Sequence, residues 1–228
     1  MADTHRLQAT PQGLRMVSEV AAELAGREQG ETSVLAVTTY FPMDVDSIAR
    51  VFEGLEELEG VERVQRGAMT IYQIEDRDRF VTKGPAIEEE AFVEEAPGLL
   101  RAVGALKQDQ DWVRTVRGQH ELLHIVAESG KTTVELSYLT SRAKMSRARI
   151  QSVLNDFDAA GHIGVEFDED IGELRYSFPP LEYPKQRWEH NLRQLNEAEA
   201  PARSRFSLWV FLAVFATLVL IVIILLGF

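Results

Sequence analysis

"TTVELSYLTSRAKMSRARIQSVLNDFDAAGHI", residues 132–163, carries two apolar ladders with a break between them. Leu136 and Leu139 fit one face of a short helix, and Ile150, Leu154 and Phe157 recur at i, i+4 and i+7 on a second. Ser146 stands just before the second ladder, where a side-chain oxygen can accept from the free amides of a helix start. Two helices joined so tightly have helix–turn–helix spacing.

The ladder occurs twice. Val34, Val37, Phe41, Met43, Asp44, Ile48, Phe52 and Leu55 precede Leu136, Leu139, Ala143, Met145, Ser146, Ile150, Leu154 and Phe157 by a constant 102 residues. Each second helix is expected to end near a glycine, Gly60 or Gly161, and to lead into two alternating segments around a turn. These are "VERVQ" and "AMTIYQI" joined at Arg66-Gly67, and "IGVEF" and "ELRYSF" with "DEDIG" between them. Period-two alternation about a glycine turn reads as a β-hairpin. A leading helix completes each unit: "LRMVSEVAAELAG" in the first and "WVRTVRGQHELLHIVAESG" in the second.

A helix, a helix–turn–helix and a hairpin wing resemble the winged-helix superfamily. The second copy is the more similar, from its first short helix to the start of the wing. The resemblance implies a mostly α fold with small β-hairpin wings (α+β), as tandem winged-helix domains. The division expected is a polar tail at 1–13, unit 1 at 14–76, an acidic linker with a short helix at 77–109, and unit 2 at 110–182. A juxtamembrane helix or linker follows at 183–206 and a transmembrane helix at 207–228. This fold serves many functions, so function must come from the residues it displays.

The membrane expectation rests on "SLWVFLAVFATLVLIVIILLGF", 22 residues without a charge. At ~1.5 Å per residue, such a helix would cross a hydrocarbon core of ~30 Å. Arg203 and Arg205 precede it, so the positive-inside rule predicts a single-pass, tail-anchored protein with its domains in the cytoplasm, and the composition suggests a bacterial inner membrane. "MADTHRLQATPQG" has no apolar core, so no secretory signal is expected. The chain has no cysteine, which excludes disulfides and thiolate metal sites. Its formal net charge of −12 offers no long-range attraction to nucleic acid or anionic lipid.

"HELLH", residues 120–124, fits H-E-x-x-H, in which two imidazoles bind zinc and the glutamate activates water. The repeat argues against that chemistry. The offset sets His120, Glu121 and His124 on Ser18, Glu19 and Ala22, and it sets Leu122, Leu123 and Val126 on the core positions Val20, Ala21 and Leu24. The leucines are therefore expected inside and the histidines outside, with a zinc metalloprotease as the minor alternative and His120 and His124 as its ligands. "ESGKTT" lacks the upstream glycine of a phosphate loop and reads as a C-cap at Gly130 followed by the N-cap of the next helix. No catalytic residues and no cofactor are expected.

The polar positions of the two units differ in charge. Residues 131–149 carry Lys131, Arg142, Lys144, Arg147 and Arg149 against one acid, Glu135. With Gln151, Ser152 and Asn155 off the core stripe, Arg142, Lys144, Arg147 and Arg149 form the candidate DNA- or partner-binding set, since these residue types contact phosphates and base edges. Residues 44–64 carry seven acids and two arginines, which suits a protein partner or a dimer contact rather than DNA. The basic, better-matched unit 2 favours a membrane-tethered, DNA-binding transcription regulator acting through that unit, with a membrane-anchored protein–protein adaptor using both units as the alternative. Asp168, Glu169 and Asp170 at the second wing, with Asp156 and Asp158 on the helix, oppose the first.

Overall fold

The computed structural model describes residues 11–75, 110–170 and 172–196. Helix α1 (Pro11–Arg27) buries Met16, Val17, Val20, Ala21, Leu24 and Ala25, the stripe that a 3.6-residue period requires. Arg27 in its last turn suits the negative helix end and pairs with Glu23 at 2.9 Å. The chain then reverses through Gln29 and Gly30, both at positive φ, into the short strand β1 (Glu31–Thr32). Ser33 caps α2 (Val34–Thr38), its hydroxyl accepting from Ala36 N–H at 3.1 Å. After a tight turn Asp44 caps α3 (Val45–Leu55) by accepting from Ser47 N–H at 2.9 Å. Helix α3 buries Ile48, Val51, Phe52 and Leu55, and each such side chain contributes roughly 1.5–3 kcal/mol through loss of water contact. Strands β2 (Val61–Arg66) and β3 (Met69–Ile74) form the hairpin, turning at Gly67, and the antiparallel sheet has the order β1-β3-β2.

The second unit repeats the order. Helix α4 (Gln110–Ser129) ends at Gly130, whose φ of 64° is the left-handed conformation of a helix C-cap. Then come β4 (Thr133–Glu135), α5 (Leu136–Arg142), α6 (Arg147–Ala159), β5 (Gly164–Asp168) and β6 (Glu173–Ser177), with sheet order β4-β6-β5. Ser146 caps α6 by accepting from Arg149 N–H at 3.3 Å. The segment "KTT" is not an N-cap as expected: β4 pairs with β6, and the side chain of Glu135 at the start of α5 makes no capping bond. The third strand of each sheet, β1 or β4, is too short to announce itself by alternation.

The units are fused. Their buried apolar side chains form one connected core from Met16 to Phe178. The turn from α2 to α3 is held by α4: Val45 N–H donates to Gln119 Oε1 at 3.1 Å, and Trp112 Nε1–H donates to Asp44 Oδ2 at 2.9 Å. Val45 N–H is one of the amides that a helix start leaves without an internal partner. Thr70 N–H of β3 donates to Gly161 O at 2.7 Å. A last helix, α7 (185–196), folds back over the seam, where Asn191 Nδ2–H donates to Thr39 O at 3.2 Å.

The expected fold class needs one correction. Two small antiparallel sheets with helices make an α+β fold, but among the described residues no helix is long and apolar enough to cross a membrane. The longest, α4, carries Asp111, Arg114, Arg117, Glu121 and Glu128. The transmembrane helix, the tail anchor and the single-pass localisation built on them are therefore withdrawn. An uncharged run shows that a helix there would be long enough to span, not that one forms. Residues 207–228 lie outside the described residues, as do 1–10, 76–109 and 197–206.

Candidate functional site

The structure corrects the expected orientation of "HELLH" at His120. Leu122 and Leu123 are in the core, but His120 is also buried, at 0% exposure. Its Nε2 lies 2.9 Å from Met43 O and its Nδ1 2.6 Å from the Tyr183 hydroxyl. A carbonyl only accepts, so Nε2 carries the proton and Nδ1 accepts from Tyr183 O–H. Burial lowers the His120 pKa to about 4, with the Met43 bond and Asp44 opposing, so the ring is neutral at pH 7. His124 is half-buried, stacked on Trp188 of α7 with ring centroids 4.5 Å apart and edge-on to Tyr183. Glu121 accepts from Lys144 N–H and so braces the turn before α6. The three residues are thus joined to three different elements. Among the described residues no group of three or more His, Asp or Glu is placed to hold a metal ion. Periodicity identified the more apolar face of α4; the opposite face is covered by the α2–α3 turn and α7 rather than by water.

The seven residues of the candidate binding set sit on or beside α6, and six of them are exposed; Gln151 is partly covered. Arg142 lies over the Tyr138 ring at 5.3 Å, with Lys131 at 5.8 Å from the same ring. Arg149 donates to Thr115 Oγ1 of α4 at 3.1 Å, so part of its guanidinium is already engaged. Close packing brings α4 and this turn together: a Cβ at Gly118 would stand 3.0 Å from Met145 Sδ. Arg147, Ser152 and Asn155 face water.

The charges on α6 are arranged against its dipole. Arg147 and Arg149 occupy the first turn, where acids are favoured, while Asp156 and Asp158 lie near its end, where bases are favoured. Each such placement costs about 0.3–1 kcal/mol at an exposed site. The acidic end meets unit 1, where Asp46 has its pKa raised by burial first and then by Asp44, with Asp156 adding to it and Arg50 opposing.

The hairpin after α6 contributes two side chains that were not singled out in the sequence. Phe167 and Leu174 face each other across the β5–β6 ladder and are 61% and 37% exposed. They share a sheet face with the inner pair Val165 and Tyr176, of which Tyr176 is buried. The other face pairs Glu166 with Arg175, and Arg175 also reaches Asp168 at 2.6 Å. Exposed Glu169 and Asp170 follow Phe167 in the turn, while exposed Glu166 lies on the opposite face of the ladder. The alternation of "GVEF" and "ELRY" foretold the shared face; which pair would remain uncovered depends on the neighbouring packing.

Searches against known proteins matched no family model and no curated relative.

Proposed function

We propose that the chain is a non-enzymatic interaction module of tandem winged-helix units whose contact face is α6 and the β5–β6 hairpin of the second unit, and that this face receives a protein. The observation that carries the reading is the exposed Phe167–Leu174 pair beside an acidic turn, Glu169-Asp170. A contiguous apolar patch with a polar rim marks a protein contact, and an acidic rim repels phosphate. The adaptor role narrows to unit 2, because the α2–α3 turn and β3 of unit 1 are engaged in the seam.

The basic cluster favours a second reading, DNA binding through Arg142, Lys144, Arg147 and Arg149, with Gln151, Ser152 and Asn155 at the base edges. Helix starts of this kind enter the major groove in helix–turn–helix proteins. A photo-crosslinking residue at position 167, with position 53 on α3 as control, separates the readings. A discrete protein adduct specific to 167 supports the first. Its absence, together with duplex binding whose salt dependence becomes shallower in Arg142→Ala/Arg147→Ala, supports DNA and overturns the first.

A further inference from the structure

Resting on the protein-binding reading, we infer that the partner is a second copy of this chain, with the hairpin end of each copy seated on the basic α5–α6 turn of the other. The hairpin offers an exposed aromatic ring, Phe167, with exposed Glu169 and Asp170 in the turn that follows it. That combination suits a guanidinium, which lies flat on an aromatic face while its N–H groups reach carboxylates. The complementary surface must therefore present several arginines or lysines on a rigid element. The turn and first turn of α6 do so with Arg142, Lys144, Arg147 and Arg149. One of these cations already lies on an aromatic ring within its own chain, Arg142 on Tyr138.

Both halves belong to one unit and are exposed, and among the described residues no ion pair joins the cations of the turn to Glu169 or Asp170. A two-fold interface requires a surface complementary to itself. Basic at the α5–α6 turn and acidic at the hairpin turn, this face has opposite charges at its two ends. An antiparallel pairing of two copies therefore matches positive to negative twice. It also covers Phe167 and Leu174 and gives the arginines in the first turn of α6 a favourable environment. A uniformly basic or acidic partner would match only one end.

The test is sedimentation of the full chain over a range of concentration and salt, compared with two charge reversals at exposed positions. Arg142→Glu/Arg147→Glu alters the basic end, and Glu169→Lys/Asp170→Lys alters the hairpin. The wild type is expected to form a salt-sensitive dimer, each reversal to weaken it at least ten-fold, and an equimolar mixture of the two reversals to regain a heterodimer, one contact as in the wild type and the other with its charges exchanged. Circular dichroism and the thermal midpoint verify that each variant folds, and Phe167→Ser provides an uncharged route to the same loss. A wild type that stays monomeric, or reversals that neither weaken association nor complement each other, overturns the inference. If a position-167 adduct to a different protein persists in that case, the second copy is excluded and the protein-binding reading stands. If no adduct forms either, both fail.

Discussion

The outer pairs of the two hairpins contrast in chemistry and in surroundings. In the first, Gln65 faces Thr70 across the ladder, and Gln65 Nε2–H donates to Thr70 Oγ1 at 2.9 Å; Thr70 is buried and its backbone joins Gly161 of the other unit. In the second, the pair at the equivalent register is Phe167 and Leu174, which stand in water. The polar pair is the one at the seam and the apolar pair is the one left open, opposite to what burial alone would select. The first hairpin has its neighbour within the chain. The second hairpin keeps its apolar pair exposed, which is the observation on which the proposed contact rests.

If the first unit's turn is chiefly a seam, the largest loss should follow from its central tie. His120→Ala removes a fully buried ring, leaves Met43 O and the Tyr183 hydroxyl without their partner, and opens a cavity between the units. A loss of about 3 kcal/mol is expected in chemical denaturation. A change below about 1 kcal/mol would show that the seam is not anchored there.

The same residue makes the seam sensitive to pH. His120 is held neutral down to about 4, below the ordinary 6.5, because burial disfavours the cation. The unfolded chain therefore takes up the proton first as pH falls. The stability this residue contributes is complete above about 6.5, declines between 6.5 and 4, and changes little below that. The loss amounts to about 3 kcal/mol at most. His162, lowered to about 4 by burial and then by Arg63, acts in the same window. Denaturation midpoints measured across this range should slope less steeply in His120→Gln than in the wild type; equal slopes would contradict the assignment.

Smaller again is the effect at Gly161. Its φ of 71° disfavours a side chain, and a Cβ there would lie 3.2 Å from Thr70 Oγ1. Gly161→Ala should cost about 1–2 kcal/mol in strain and disturbance of the seam. Gly172, also at positive φ but with nothing within 4 Å of an added Cβ, should show the conformational cost alone, about 1 kcal/mol. The difference between the two alanine variants in thermal or chemical denaturation isolates the contact between the units.

The repeated ladder made the helices legible. Asp44 and Ser146 cap the second helices where the sequence placed them, and both hairpins turn where glycine permits. The orientation of His120 was not legible, because periodicity ranks the faces of one helix by polarity and is silent on what covers them. Nor was the fate of Phe167: two hairpins with similar alternation differ in their neighbours, and those are set by how the units dock. The basic residues on α6 could be found from charge alone. Their opposition by Asp156, Asp158 and the hairpin acids was visible too, but which hairpin side chains share the face of Phe167 needed the ladder register.

The smallest stability change is expected where the functional effect is greatest. Phe167→Ser removes an apolar side chain that is mostly in water, so folding loses little packing and the change should stay within about 0.5 kcal/mol. At the equivalent position of the other hairpin, Gln65 bonds to buried Thr70, and Gln65→Ala should be the more damaging of the two by a few tenths of a kcal/mol, through the lost bond. A purely structural role for the second hairpin predicts the reverse order, since an aromatic residue that supports its own fold costs more to remove than a surface glutamine. Denaturation of the two variants side by side decides the order. A Phe167→Ser protein that is folded, as stable as the wild type and unable to associate would locate the contribution of Phe167 outside its own chain.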